Sequence, residues 1–151
     1  MEKVGLQKYL NEIGSPSHED LVALNAMYHP GTLEKIPHYI ARKQGIEPIE
    51  YIHPVMKKHL KETYGILVYQ EQIKSLCQDI AHFTSEECTE LCEMITRLMV
   101  SPRLEVLHQK FISQGLQNGD DEPTLERIWL FLERNALYIT SKSEPLLFHA
   151  K

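Results

Sequence analysis

The 151-residue chain has a hydrophobic fraction of 42% and a charged fraction of 25%, which is the balance of a globular protein with one core rather than of a disordered chain. Its formal net charge of −5 argues against a free-standing nucleic-acid-binding protein, because contacts between basic side chains and phosphates supply most of the affinity of such proteins. No apolar run approaches the ~20 residues that cross a bilayer and the N-terminus lacks an apolar signal core, so we expect a cytoplasmic protein with reduced cysteines and no membrane association.

Glycine and proline mark the ends of the first two predicted helices. Apolar residues at helical spacing stop at Gly14, where the missing Cβ permits a left-handed cap. Ser17, with Asp20 three residues later, resembles a capping box that opens the second helix. Pro30-Gly31 is a turn signal that ends it.

Two further helices lead to a short apolar run. A third helix is predicted over residues 36–43, ending at Gly45. Pro54 is well placed as the first residue of a fourth, because its missing N–H would have no partner in a first turn, and Gly65 closes that helix. Residues 66–69, Ile-Leu-Val-Tyr, are β-like but too short and isolated for a sheet, so they predict an extended connector.

In the remaining chain, apolar residues spaced three and four apart predict four further helices. Residues 70–83 form the first of these, and Thr84 or Ser85 caps the next. Pro102 and Pro123 begin the last two.

These patterns predict an all-α fold. We expect one compact multi-helix domain over residues 1–151, with an extended connector near 66–69 and a loosely ordered tail over 136–151. If the domain belongs to a larger protein, former interfaces are exposed and self-association is expected.

The residues alone point to little catalytic chemistry. Two-metal nucleotidyl transfer needs converging carboxylates, but there is no Asp-x-Asp pair, and the adjacent Asp120 and Asp121 are interpreted as turn and cap residues. One alternative is a zinc-dependent or hydrolytic enzyme, since Cys88 and Cys92 stand at i, i+4 and could chelate with two further side chains, namely Cys77 and His82.

A family resemblance supplies a more specific hypothesis. Residues 61–72, KETYGILVYQEQ, closely resemble the signature KETYGVMVYQEQ of the bacterial DNA polymerase III alpha subunit. Other segments resemble the same family in the same order, namely GLQKYL at 5–10, HEDLVALNAMYHPG at 18–31, IARKQG at 40–45 and EYIHP at 50–54. The resemblance covers most of the chain and implies the helical fingers of that subunit.

The resemblance weakens at basic positions. The family pattern LRRAMGKK aligns with residues 91–98, where Cys92 and Glu93 replace an arginine pair that is expected to meet a triphosphate. His29 stands where an arginine is expected, and residues 138–145 lose the glycine and histidine of YGFNKSHA. The resemblance therefore implies a retained fold with a weakened nucleotide site.

The resemblance implies a module of DNA replication that handles the incoming nucleotide and the template. The metal-binding carboxylates belong to a palm domain, so this chain alone is expected to be inactive, to contain no catalytic or metal-binding residue, and to need Mg²⁺ only beside a palm. The expected partners are the rest of a polymerase or other replication proteins, with weak DNA binding at most. The candidate nucleotide- or DNA-binding residues are Arg42, Lys43, Lys61, Tyr69, Gln70, Gln72, Arg97 and Lys142.

A second hypothesis remains open beside this one. A diverged paralogue could keep the helical scaffold as a protein- or DNA-interaction module without an enzymatic role. Its motivation is the loss of the arginine pair at Cys92 and Glu93.

Overall fold

A computed structural model describes the backbone of residues 2–142 and the side chains of residues 5–142. Within that range the chain is all-α, as predicted, and contains no β-strand beyond an isolated parallel bridge between Tyr69 and Thr140. The helices are α1 (Glu2–Ile13), α2 (His18–Met27), α3 (Lys35–Lys43), α4 (Pro54–Leu60), α5 (Gln70–Ala81), α6 (Ser85–Thr96), α7 (Pro102–Gln117) and α8 (Glu122–Asn135), and a 3₁₀ turn (Lys61–Thr63) follows α4.

The sequence signals at the helix ends are confirmed. Ser17 and Asp20 form a reciprocal capping box at α2, and Thr84, rather than Ser85, forms one with Glu87 at α6. Pro54 opens α4, and the helix that the pattern extends to Tyr64 instead tightens into the 3₁₀ turn at Lys61. Side-chain caps of this kind satisfy backbone N–H groups that the first helical turn leaves without partners.

The buried side chains form two hydrophobic cores. The N-terminal core joins α1, α2 and α3 and includes Leu24, Ile36 and Tyr39. The C-terminal core is larger, joins α4 to α8 and includes Leu60 and Phe111. The two cores meet at the predicted connector.

The place of the connector between the two cores explains why its four residues, 66–69, are all apolar. Ile66, Val68 and Tyr69 pack into the N-terminal core, whereas Leu67 packs into the C-terminal core. Successive side chains of an extended segment point to opposite sides, so Ile66, Leu67 and Val68 alternate between the two cores, and Tyr69, the N-cap residue of α5, stays in the N-terminal core. Gly65 begins it with a φ of +82°.

The end of the described chain is packed rather than loose. Ala136 and Ile139 are buried in the C-terminal core, and the N–H of Tyr138 donates to the carbonyl of Thr96 at 2.9 Å. An apolar pair thus anchors residues 136–142 to the C-terminal core, while the loosely ordered tail over 136–151 stays a prediction. Its remainder, residues 143–151, lies outside the described residues.

None of the helices in residues 2–142 is both long and apolar enough to cross a membrane.

Candidate functional site

A small cleft lies between the start of α5 and the second half of α6. Its volume is about 110 Å³, and its walls are formed by Gln70, Lys74, Thr89, Cys92, Glu93, Thr96 and Arg97. Pockets that enclose a small ligand measure roughly 300–1,000 Å³, so this cleft can hold only part of a nucleotide by itself. The remaining surface of any such site would come from another domain.

This cleft unites two of the predicted binding residues and adds one that the sequence analysis missed. Gln70 and Arg97 both line it. Lys74 lies four residues after Gln70 on α5, and that spacing, which puts two side chains on one helix face, could have identified it. Glu93 is exposed beside these cations, so one carboxylate partly offsets their charge.

The two residues that replace the family's arginine pair, Cys92 and Glu93, also line this cleft. Cys92, although it lines the cleft, is only 3% exposed, and burial raises the pKa of its thiol to about 11. The side chain of Cys92 is therefore buried in the core, whereas that of Glu93 is exposed to solvent.

Gln72 holds the start of α5 in place. Its side-chain oxygen accepts from the N–H groups of Val68 and Tyr69 at 2.9 and 3.0 Å. Its amide nitrogen donates to Oγ1 of Thr63 at 2.9 Å. Gln72 is 4% exposed, so this predicted binding residue is engaged inside the protein and presents almost no surface to a ligand.

Tyr69 and Lys142 lie together, with Tyr69 buried and Lys142 exposed above it. Tyr69 is 2% exposed, and the ammonium of Lys142 is 5.5 Å from the centroid of its ring. That ammonium donates to Glu62 at 2.9 Å, and the N–H of Lys142 donates to Glu71 at 3.0 Å. The charge of Lys142 is therefore matched within the chain.

Arg42 is also engaged internally. Its Nε donates to Glu47 at 2.6 Å and its Nη1 donates to the carbonyl of Tyr64 at 2.9 Å. By contrast, Lys61 and Arg97 are exposed and form no ion pair with the residues that the structure describes. Among the described residues, no carboxylate competes with a ligand for these two charges.

Lys43 neutralises a buried carboxylate. Its Nζ lies 2.9 Å from Oδ2 of Asp20, which is 1% exposed, and the hydroxyl of Tyr39 donates to the other carboxylate oxygen at 2.7 Å. Burial alone would raise the pKa of Asp20, but hydrogen bonds from Ser17, Lys43 and Tyr39 outweigh burial and lower it. Lys43 therefore stabilises the N-terminal core, because removing it would leave an unpaired buried charge.

A second, larger basic cleft was not identified in the sequence. Two adjoining cavities of about 330 and 220 Å³ lie between α3 and the end of α8 and share Lys35, His38 and Asn135. Arg134 lines the larger cavity and Arg42 the smaller one. The sequence gives no signal for this cleft, because Lys35 and Asn135 are 100 residues apart.

The zinc hypothesis is wrong for the described residues. Among residues 2–142 no group of His, Cys, Asp or Glu side chains is arranged to hold a metal ion. All three cysteines are buried and free, and burial raises the pKa of Cys77 and Cys88. His82 is instead exposed and hydrogen-bonded to Asn118 at 3.1 Å.

The aspartate pair has the turn and cap roles that the sequence predicted. Asp121 accepts from the N–H of Thr124 at 3.3 Å and so caps α8. Asp120 accepts from Nε2 of His53 at 2.7 Å, and Nδ1 of His53 accepts from the N–H of Val55 at the start of α4. These side chains connect helix ends.

Comparison with known proteins agrees with the family resemblance of the sequence motifs. Residues 1–119 match the model of the family described as the bacterial DNA polymerase III alpha subunit finger domain. The chain is 33% identical over 151 residues to the DNA polymerase III subunit alpha of Halalkalibacterium halodurans, covering 98% of this chain and 13% of that protein. It is 33% identical to the Aquifex aeolicus subunit, with the same two coverages, and 35% identical to that of Chlamydia muridarum, covering 98% of this chain and 12% of the relative.

The chain thus spans about an eighth of the length of these relatives. The family model covers more than three quarters of the chain, from α1 through α7 and including the connector. The chain therefore belongs to the finger-domain family of the bacterial DNA polymerase III alpha subunit.

Proposed function

We propose that this chain acts as the finger element of a replicative DNA polymerase and contributes to holding the incoming deoxynucleoside triphosphate and the template. The observation that carries the proposal is the family match over residues 1–119. The cleft between α5 and α6 supports it, because Gln70, Lys74 and Arg97 combine hydrogen-bonding and cationic groups of the kind that bind phosphate.

The chain on its own is proposed to be inactive and to bind no cofactor. Mg²⁺ would enter with the carboxylates of a palm domain, whose metal ions stabilise the attacking and leaving oxygens of the transferred phosphoryl group. The proposed partner is the remainder of a polymerase or another replication protein, and the proposed location is the cytoplasm.

Of the eight predicted binding residues, Arg97, Gln70 and Lys61 are the ones we propose for direct contacts. Tyr69 and Gln72 would act indirectly by fixing the start of α5, since both are buried. Arg42, Lys43 and Lys142 already have carboxylate partners. A ligand phosphate would have to compete with those carboxylates.

A titration with a deoxynucleoside triphosphate and Mg²⁺ at low salt tests this proposal, because phosphate attraction is strongest there. Arg97→Ala should weaken binding about tenfold, the value of one charge-assisted hydrogen bond. Lys57→Ala, which removes an exposed charge from α4, should leave the affinity unchanged. No binding by the unmodified chain would refute a direct nucleotide contact.

Glu93→Arg gives a second, opposite readout in the same titration. It converts the anion at the cleft into the cation that the family pattern contains, so the affinity should rise severalfold. The charge-matched Glu133→Arg on α8 should have no comparable effect. An equal rise in both variants would indicate a general charge effect and no site at this cleft.

The alternative is a diverged, non-enzymatic paralogue that serves as an interaction module. It is favoured by the exposed Glu93 at the cleft and by the internal pairing of Lys43 and Lys142. Recovery of a replication protein in a pull-down, together with no nucleotide binding at low salt, would support it over the first proposal.

A further inference from the structure

Lys35 is a half-buried lysine that lacks a carboxylate partner among the described residues. Its Nζ donates to the carbonyl oxygens of Leu67 at 2.7 Å and Asn135 at 2.6 Å. An ammonium has three N–H donors, so one remains beyond these two. Glu34 acts on it through space but is exposed and forms no ion pair with it.

Such a charge normally has an anionic partner. Buried ionised groups in proteins are paired with opposite charge, because removing them from water is costly. Burial lowers the pKa of Lys35 to about 8, which is the result expected when no anion lies beside the ammonium. An anion in the cleft would supply the missing partner.

A second cation stands in the same cleft. Arg134 lines the 330 Å³ cavity together with Lys35, Gly31 and Glu34. Arg134 is exposed and forms no ion pair within the described residues, and Glu34, although it lines the same cavity, pairs with neither cation. His38 and Arg42 also reach the adjoining cavities, but both contact Glu47. Among the described residues, Lys35 and Arg134 are therefore the cations of this cleft without a carboxylate partner.

Part of the arrangement has a structural explanation. Asn135 is the last residue of α8, so Lys35 satisfies a carbonyl at the negative end of that helix and ties it to the connector at Leu67. That role accounts for two of its hydrogen bonds. It does not account for Arg134 or for the open cavities beside Lys35.

We propose that the cleft between α3 and the end of α8 is a phosphate-binding site in which Lys35 and Arg134 hold the anion. Lys35 supplies a fixed N–H donor, and Arg134 closes over the phosphate oxygens with the planar fork of its guanidinium. The phosphate belongs either to a nucleic-acid strand or to a free anion. The inference rests on the proposed function in one respect: a nucleic-acid strand is considered as a source of the phosphate because the proposed function involves DNA.

Calorimetric titration of the chain at low salt with two probes tests the site: pyrophosphate and a single-stranded thymidine oligonucleotide. Arg134→Ala should weaken binding of the active probe about tenfold. Arg127→Ala is the matched control, because it removes the same charge from an exposed position on the same helix. Arg134 is exposed and has no hydrogen bond or ion pair to the described residues, so Arg134→Ala should fold as the unmodified chain does.

Lys35→Met is the second variant, compared with the unmodified chain by circular dichroism before titration. If it folds, it should abolish binding at this cleft. Binding of the oligonucleotide and pyrophosphate would assign the site to phosphates of either source, and binding of pyrophosphate alone would assign it to a free anion.

Absence of binding by both probes would overturn the site, as would equal losses in Arg134→Ala and Arg127→Ala. These outcomes are separate from the nucleotide test above, because Arg97→Ala alters the cleft between α5 and α6 and leaves Lys35 and Arg134 in place.

Discussion

Single side chains decide which predicted contacts are available to a ligand. Tyr69 and Gln72 stand in the segment that most closely resembles the family signature, yet both are buried. Lys35 belongs to none of the family motifs, yet its ammonium donates hydrogen bonds to the carbonyl groups of both Leu67 and Asn135. Sequence resemblance identifies residues that a fold requires as readily as residues that touch a substrate, because both kinds lie in the same motif.

The titration of Lys35 gives a residue-scale prediction. Its folded pKa of about 8 lies below the ordinary 10.5, so between these values the unfolded chain binds more protons than the native one and the free energy of unfolding rises with pH. Relative to Lys35→Met, the unmodified chain should gain about 2 kcal/mol between pH 7 and 10. Urea unfolding in phosphate-free buffer measures this difference, and titrations of Tyr and Cys residues common to both proteins cancel. A difference that stays flat with pH would contradict the depressed pKa.

At the scale of elements, the junction from the 3₁₀ turn to α5 is fixed by one side chain. Gln72 joins Thr63 on one side of the connector to the N–H groups of Val68 and Tyr69 on the other. Within the described residues the connector has a single isolated bridge to Thr140 and no paired strand, so a side chain from the next helix accepts the hydrogen bonds of its N–H groups. The short β-like run thereby becomes a rigid link that positions Gln70 at the cleft.

Gln72→Ala should therefore destabilise the protein by about 3 kcal/mol, because it leaves buried N–H groups without partners. Gln78→Ala, at an exposed position on the same helix, should change stability by less than about 0.5 kcal/mol. Chemical unfolding followed by circular dichroism compares the two. Similar stabilities of the two variants would show that water replaces the hydrogen bonds of Gln72.

At the scale of the whole molecule, the N-terminal and C-terminal cores are coupled through the connector and Lys35. Leu67 packs into one core, while its neighbours Ile66 and Val68 pack into the other. Lys35 on α3 is bonded to the end of α8. Movement of one core relative to the other would break these contacts.

The two cores should consequently unfold in one transition. Leu67→Ala should lower the stability of the whole protein by about 3 kcal/mol, and Val68→Ala by about 1–2 kcal/mol. Fluorescence of Trp129, which lies in the C-terminal core, and circular dichroism should report the same midpoint for each variant. Separate midpoints, with Val68→Ala moving only the circular dichroism signal, would show that the cores unfold independently.

The sequence by itself determined the all-α class, the principal helix boundaries, the two capping boxes and the family. These depend on local chemistry: a Ser or Thr three residues before an acid, a proline in a first turn, or an ordered series of motifs. Only the tertiary structure decided which candidate residues are exposed, that Lys43 pairs with Asp20, and that Lys35 meets Asn135 across 100 residues of chain. Burial and long-range pairing depend on how helices pack against each other, and no local spacing in the chain encodes those distances.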